Sequence, residues 1–196
     1  MLGGDLILCG GVGTDGDLCE RYSFSNNEWS NMSTRMPIKR RAAFALSHGG
    51  AMYIIGGETQ ANKKTSAFLR FQWRKSGDKL EGVWNTLANL TIPRAFAKAI
   101  WLPTRGILVC GGGGTNQPRF TSCELYSMES DSWEPFASMN LERANFSIVL
   151  WRGTLYAIGG CVYDDHVERY DSFSAQWIKT GTKLPRPMHT SASVVL

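Results

Sequence analysis

A block of about twenty residues occurs four times in this chain, and that recurrence limits the fold more than any single residue does. The last copy, residues 155–177, reads LYAIGGCVYDDHVERYDSFSAQW: an apolar run, Gly159-Gly160, a short polar loop, Glu168-x-Tyr170, and Trp177 seven residues after the tyrosine. The first copy has LILCGG ending in Gly10-Gly11, then Glu20-Arg21-Tyr22 and Trp29. The third has ILVCGG ending in Gly111-Gly112, then Glu124-Leu125-Tyr126 and Trp133. The second keeps MYIIGG with Gly56-Gly57 but departs at Leu69-Arg70-Phe71 and delays its tryptophan to Trp84. The glycine pairs begin at 10, 56, 111 and 159, in steps of 46, 55 and 48 residues. A period near fifty with several short strands in each period is that of a propeller blade, not of a helical solenoid.

These marks together resemble the kelch family, and the resemblance covers nearly the whole chain. It implies an all-β, kelch-type β-propeller with four repeats of four-stranded blades. The repeats fall at about 1–35, 36–90, 91–138 and 139–185 of a single domain spanning 1–196. Within each repeat, strand a is expected after an arginine (40–46, 94–102, 143–150), strand b is the run ending in Gly-Gly, strand c carries Glu-x-Tyr and strand d carries the tryptophan. Alternation puts the glutamate and tyrosine of strand c on one face. The repeated Tyr22, Tyr126, Tyr170, Trp29, Trp84, Trp133 and Trp177 are expected to fill the wedge between blades, each polar tip finding a backbone partner. The glycine pairs let the chain turn and let neighbouring blades approach closely.

Phe71 to Trp84 is 13 residues where the other copies have 7, so an insertion within QWRKSGDKLEGV is expected as an exposed hairpin turning at Gly77-Asp78. The chain opens on a strand b and ends on RPMHTSASVVL, residues 186–196, which reads as a closing inner strand a. Pairing of that strand with the N-terminal hairpin would complete one blade and remove exposed edges. A compact four-bladed ring and a piece of a larger propeller both fit the count.

No apolar run approaches the ~20 residues that span a bilayer, and the first residues lack a secretory pattern, so a soluble, unexported protein of the cytoplasm or nucleus with no membrane partner is expected. The five cysteines are an odd number; Cys9 and Cys110 hold the same repeat position and Cys161 follows a glycine pair, which reads as reduced, buried small hydrophobes. No CxxC or paired His spacing implies zinc, and no cofactor is expected. Asn31, Asn89 and Asn145 head Asn-x-Ser/Thr triplets, but Asn145 is expected inside a strand and the triplets are discounted. His48, His166 and His189 lie in three different contexts, and the glycine run 111–114 is followed by no Lys-Ser/Thr, so no enzyme is expected. Net charge of +4 is too mild for nucleic acid.

A binding surface has better support. The b to c loops and the residues entering strand a open on one face of a propeller, which gathers Arg119, Tyr163 and His166 with Arg40, Arg94, Arg143 and Arg186. Arg40 and Arg143 stand 16 residues before their glycine pairs and Arg94 stands 17 before, so they are in register. Guanidinium forks suit carboxylates, hence an acidic peptide. The resemblance points the same way, to kelch substrate receptors of cullin-RING ubiquitin ligases, in which arginines grip an acidic segment and separate BTB and BACK domains contact the cullin. Two alternatives stay open: an actin-associated or other scaffold protein, and arginines that pair with the strand-c glutamates instead of a ligand.

Overall fold

The computed structural model describes residues 6–59, 62–77, 79–113, 118–160 and 165–188, without the side chains of residues 79 and 80. All its regular elements are strands, arranged in four antiparallel sheets in sequence order. The first sheet is β1 (Leu6–Cys9), β2 (Cys19–Ser23) and β3 (Glu28–Asn31). The second is β4 (Phe44–His48), β5 (Ala51–Ile55), β6 (Phe68–Ser76) and β7 (Lys79–Leu87). The third is β8 (Lys98–Leu102), β9 (Gly106–Cys110), β10 (Cys123–Ser127) and β11 (Ser132–Phe136). The fourth is β12 (Ser147–Trp151), β13 (Thr154–Ile158), β14 (His166–Asp171) and β15 (Gln176–Lys183). Each sheet is a meander, one repeat to one blade, as in a kelch-type propeller. The chain divides into two compact units, Met1–Pro93 with blades 1 and 2 and Arg94–Leu196 with blades 3 and 4.

The seven-residue spacing is explained by the c to d hairpin. Tyr22 lies directly opposite Trp29, Tyr126 opposite Trp133 and Tyr170 opposite Trp177, with ring centroids 5.3, 5.1 and 5.7 Å apart. One more pair and a four-residue turn close each hairpin, and the last turn residue is left-handed every time: Asn27 (φ 55°), Asp131 (φ 45°) and Ala175 (φ 55°). The first two turns are capped by their own tyrosine, since Tyr22 Oη donates to Asn27 Oδ1 at 2.5 Å and Tyr126 Oη to Asp131 Oδ1 at 2.7 Å. A side chain therefore takes the place of the expected backbone partner. Trp177 does meet backbone, its Nε1 donating to Ala137 O of blade 3 at 3.0 Å.

In blade 2, Phe71 and Trp84 keep the same facing pair, with centroids 5.0 Å apart, but the ladder runs on through five further pairs to Ser76 and Lys79. Residues 74–77 and 81 of this long hairpin are exposed, as expected, and Asp78 of the expected turn lies outside the described residues. Its root is not: Trp73 packs on the unit 1 core and under the Arg21 guanidinium, 5.7 Å from its ring centroid, and Gly82 O accepts from Thr34 Oγ1. The insertion ties blade 2 back onto blade 1.

Strand a begins four residues later than expected in three blades. Ala42 (φ 52°), Phe96 (φ 57°) and Asn145 (φ 53°), each two residues after the repeat arginine, take a left-handed bend that no extended strand can contain. Asn145 is thus outside the strand in which the sequence placed it. The glycine pairs sit where close approach requires them: a Cβ on Gly111 would lie 2.5 Å from Arg143 O, and one on Gly160 2.4 Å from Phe146 Cβ.

The reading of the cysteines as free thiols is corrected. Cys9 is bonded to Cys19 and Cys110 to Cys123, bridging strands b and c of blades 1 and 3. Gly10 N donates to Leu18 O and Gly111 N to Ser122 O, so each cysteine pair is the next, non-hydrogen-bonded pair of its ladder. There, facing side chains stand closest, and the Cα atoms are 4.1 Å apart in both bridges. Blade 2 fills the same position with Ile55 and Phe68. The expected closing strand cannot be compared beyond Met188, because residues 189–196 lie outside the described residues.

Candidate functional site

The repeat arginines are built into the blades. Arg94 is 1% exposed and uses every donor it has. Nε and Nη2 reach Glu124 Oε1 at 3.0 and 2.7 Å, Nη1 reaches Gly111 O and Ser122 O at 2.8 Å each, and Nη2 also meets Ser122 Oγ at 3.0 Å. Burial lowers the guanidinium pKa, and Glu124 pulls it back up. Arg143, with no exposed surface, repeats the design: Nε to Glu168 Oε2 at 3.0 Å, Nη1 to Gly159 O at 2.6 Å and Nη2 to His166 O at 2.8 Å. Glu168 in turn accepts from the backbone N–H groups of Asn140 and Leu141, fixing the connection that leads into the arginine. A ligand cannot reach either guanidinium. Of the two readings the sequence left open for Arg94 and Arg143, the structure has the scaffold pairing with the strand-c glutamates.

Arg40 holds the equivalent place in blade 2 and is 2% exposed. Its Nη1 donates to Gly56 O and Ala67 O at 3.0 Å each, but Nε and Nη2 have no partner among the described residues. The reason is visible in the sequence. Where blades 3 and 4 have Glu124 and Glu168, blade 2 has Leu69, itself wholly buried in the core. Burial with no counter-ion pushes the Arg40 pKa down to about 10. It remains charged at neutral pH, an uncompensated cation inside unit 1.

The side chain that does face solvent is the next one. A cavity of about 320 Å³ opens in unit 1 between the glycine-rich loop of blade 1 (Gly11, Val12, Gly13, Thr14, Gly16) and Lys39, Arg40, Arg41, Glu58, Thr59 and Asn62. Gly11 (φ 136°) and Gly13 (φ 96°) form its lip, and a Cβ on either would meet nothing within 4 Å. Lys39 and Arg41 supply the charge, with side chains 41% and 38% exposed. Each is steered by a neighbour: Lys39 Nζ donates to Thr14 O, and Arg41 reaches the buried Glu58 carboxylate at 3.2 Å and Asn62 Oδ1 at 2.9 Å. Sequence reading sets Lys39, Arg40 and Arg41 together at the mouth and singles out Arg40 by its register with Arg94 and Arg143. Of the two adjacent arginines Arg40 turns inward and Arg41 outward, and residue types alone do not show it.

The remaining candidates are scattered. Arg119 is half-buried and donates to Gly160 O at 2.7 Å, joining the blade 3 loop to blade 4. His166 gives its carbonyl to Arg143 and stands 3.7 Å from Asp165. Arg186 is exposed. Tyr163 lies outside the described residues, as do residues 114–117 of the blade 3 loop.

Residues 142–182 match the family model described as Kelch motif, and they contain the Arg143, Gly159-Gly160, Glu168 and Trp177 set just described. This is a kelch-repeat chain. Among curated proteins it is similar to Kelch-like protein 41a of Danio rerio, 27% identical over 155 residues that make up 79% of this chain and 24% of that protein. It is 31% identical over 135 residues to Kelch repeat and BTB domain-containing protein 1 of Horsepox virus, covering 68% of this chain and 23% of that one. A RING finger domain and kelch repeat-containing protein of Dictyostelium discoideum is 26% identical over 198 residues, 95% of this chain and 19% of that protein. The chain thus spans about a quarter or less of the length of these curated relatives. Among solved structures it resembles that of YjhT, with a TM-score of 0.64 at 17% identity, over 85% of this chain and 52% of that one. That likeness concerns the kelch fold.

Proposed function

We propose that this kelch-repeat chain is a non-enzymatic protein-interaction module that binds an acidic peptide segment, and that the pocket between blades 1 and 2 receives it. The observation that carries the reading is the pairing of two solvent-facing cations, Lys39 and Arg41, with an open glycine lip where backbone can approach a ligand. Carboxylates are the fitting groups, because a guanidinium fork grips them at two points. The names of two relatives join kelch repeats to a BTB or a RING finger domain. This supports a place as the recognition part of a ubiquitin-ligase adaptor of the cullin type, with recruitment left to other domains, in the cytoplasm or nucleus. The scaffold reading, with actin as partner, would use the outer blade faces instead.

Fluorescence anisotropy with labelled peptides tests it. Acidic peptides should bind, more weakly as salt rises, and their charge-neutral amide counterparts should not. The double substitution Lys39→Ala with Arg41→Ala should weaken binding roughly 5- to 30-fold, as expected for two half-exposed pairs of up to ~1 kcal/mol each. Arg94→Ala should leave affinity alone. Equal losses at Arg94 and Arg41, or no preference for acid over amide, would defeat the reading.

A further inference from the structure

The loop that forms the lip of the pocket is closed at its base by a disulfide. Residues 10–18 leave β1 at Cys9 and enter β2 at Cys19, the two bonded cysteines, and Gly11, Val12, Gly13, Thr14 and Gly16 among them line the cavity. Residues 11–15 are exposed, Val12 to 75%, which leaves the loop little apolar burial to hold its shape. Four of its nine residues are glycine, and a chain of that composition has the most backbone freedom to lose. Its contacts with the arginine-bearing connection are polar: Gly11 N donates to Arg40 O, Arg40 N to Gly16 O and Lys39 Nζ to Thr14 O. Asp15 and Asp17 add ion pairs to Arg35, whose side chain is 51% exposed, and pairs of that kind contribute little.

The opposite wall of the pocket is held differently. At the base of the blade 2 loop stand Ile55 and Phe68, both buried, and its Glu58 forms backbone bridges with Arg41 and Lys64. That wall keeps its shape by packing and pairing, whereas the blade 1 lip depends on a bond that can be broken chemically. The bond is also within reach. Cys19 is wholly buried but Cys9 is half-buried, while Cys110 and Cys123 of the other bridge are 0% and 3% exposed in their core.

We propose that Cys9–Cys19 is a thiol-exchange site for small thiols of the glutathione class, and that its state sets how well the pocket takes its peptide. Bonded, the bridge holds the lip in its receptive shape; reduced, it frees residues 10–18 and affinity falls. The second half rests on the reading of the pocket as an acidic-peptide site. The incoming thiolate attacks Cys9 Sγ, a new S–S bond forms as the Cys9–Cys19 bond breaks, and the electron pair leaves with Cys19 as a thiolate that takes a proton. A second thiolate attacks the mixed disulfide at the sulfur of the first and releases Cys9, which is protonated in turn. Two small thiols thus leave as one disulfide, and their two electrons and two protons stay on the cysteines. In the cytoplasm or nucleus, where thiols are kept reduced, a disulfide is characteristically a sensing one.

The intact, oxidised chain is incubated in glutathione buffers of increasing reduced fraction, and three properties are read: thiols by alkylation and mass spectrometry, amide exchange of residues 10–18, and anisotropy of a labelled polyglutamate peptide. Cys9 and Cys19 should become alkylated at a lower reduced fraction than Cys110 and Cys123. Over that interval the amides of 10–18 should exchange faster, far-ultraviolet circular dichroism should hold, and peptide affinity should fall about 5-fold, the low end of ordinary coupling between two sites. Glutathione disulfide should reverse all of these changes. Cys9→Ala with Cys19→Ala should bind as weakly as the reduced chain and ignore glutathione. Cys110→Ala with Cys123→Ala should respond as the parent does, which keeps the test decisive if the first variant fails to fold. Unchanged exchange of 10–18 after the bridge opens overturns the inference, as does opening of Cys110–Cys123 first or loss of the strand signal together with the bridge. An oxidised chain that binds the peptide and keeps its affinity on reduction overturns it equally. If the oxidised chain already ignores the peptide, the acidic-peptide reading is what fails, and the exchange of residues 10–18 still decides whether the bridge controls the lip.

Discussion

At the scale of single residues, three arginines in one repeat position have two different energetic fates. Arg94 and Arg143 are buried with their carboxylates, so each pair holds its blade only while both partners are present. Arg94→Met should cost about 3–5 kcal/mol in urea unfolding, because Glu124 is left buried without a counter-charge. Arg40→Met should cost much less or stabilise, since it strands no carboxylate and removes a charge with two unpartnered nitrogens. Leu69→Glu should restore the repeat's own solution. A double-mutant cycle between positions 40 and 69 is expected to show a favourable coupling of roughly 1.5–3 kcal/mol, as for charged hydrogen bonds. Zero coupling would mean that a carboxylate at 69 does not reach the guanidinium. The sign of the pH effect follows from the lowered Arg40 pKa. The unfolded chain holds the Arg40 proton more tightly, so this residue's penalty is complete below about pH 10 and fades only as the pH rises above that.

At the scale of the strand pair, blades 1 and 3 carry a covalent tie between strands b and c, closing sequence separations of 10 and 13 residues. Alkylation of the denatured, unreduced protein should therefore label at most one of the five cysteines, and all five after reduction. Reduction should lower stability by roughly 2–3 kcal/mol for each bridge, the amount that short closed loops contribute. Labelling of four or five thiols before reduction would return these cysteines to the reduced state expected from sequence. The long β6 and β7 hairpin is the other element with a character of its own. It extends a shared aromatic pair into a strap on which Trp73 and Gly82 meet blade 1.

At the scale of the whole chain, the two units are unequally furnished. The 94–196 unit has two complete four-stranded sheets and two buried guanidinium–carboxylate pairs. The 1–93 unit has one sheet of three strands among the described residues and an uncompensated Arg40. Native-state hydrogen exchange should accordingly find amides of β9, β10 and β13 better protected than those of β1 and β2, with the 1–93 unit opening first. Uniform protection across both units would contradict this ranking.

The blade count, the place of each glycine pair and the fixed step from tyrosine to tryptophan were legible in the sequence because they repeat, whereas the facing of the two rings comes from the hairpin register. A period of about fifty, and a fixed seven-residue step from Tyr170 to Trp177, are properties of spacing that survive without coordinates. Even the orphaned guanidinium was written there, as Leu69 in place of a glutamate, although its meaning needs the knowledge that Arg40 points inward. Burial belongs to the tertiary structure alone. Arg40, Arg94 and Arg143 turn into the blades just before left-handed bends at Ala42, Phe96 and Asn145, while Arg41 stays at the pocket. The cysteine bridges are likewise a matter of which ladder pair lies closest, a register that forms only when strands b and c meet. Sequence spacing fixes which residues share a strand and a face; whether a charge meets solvent or a carboxylate depends on chain segments 25 to 30 residues away, and only folding brings those together.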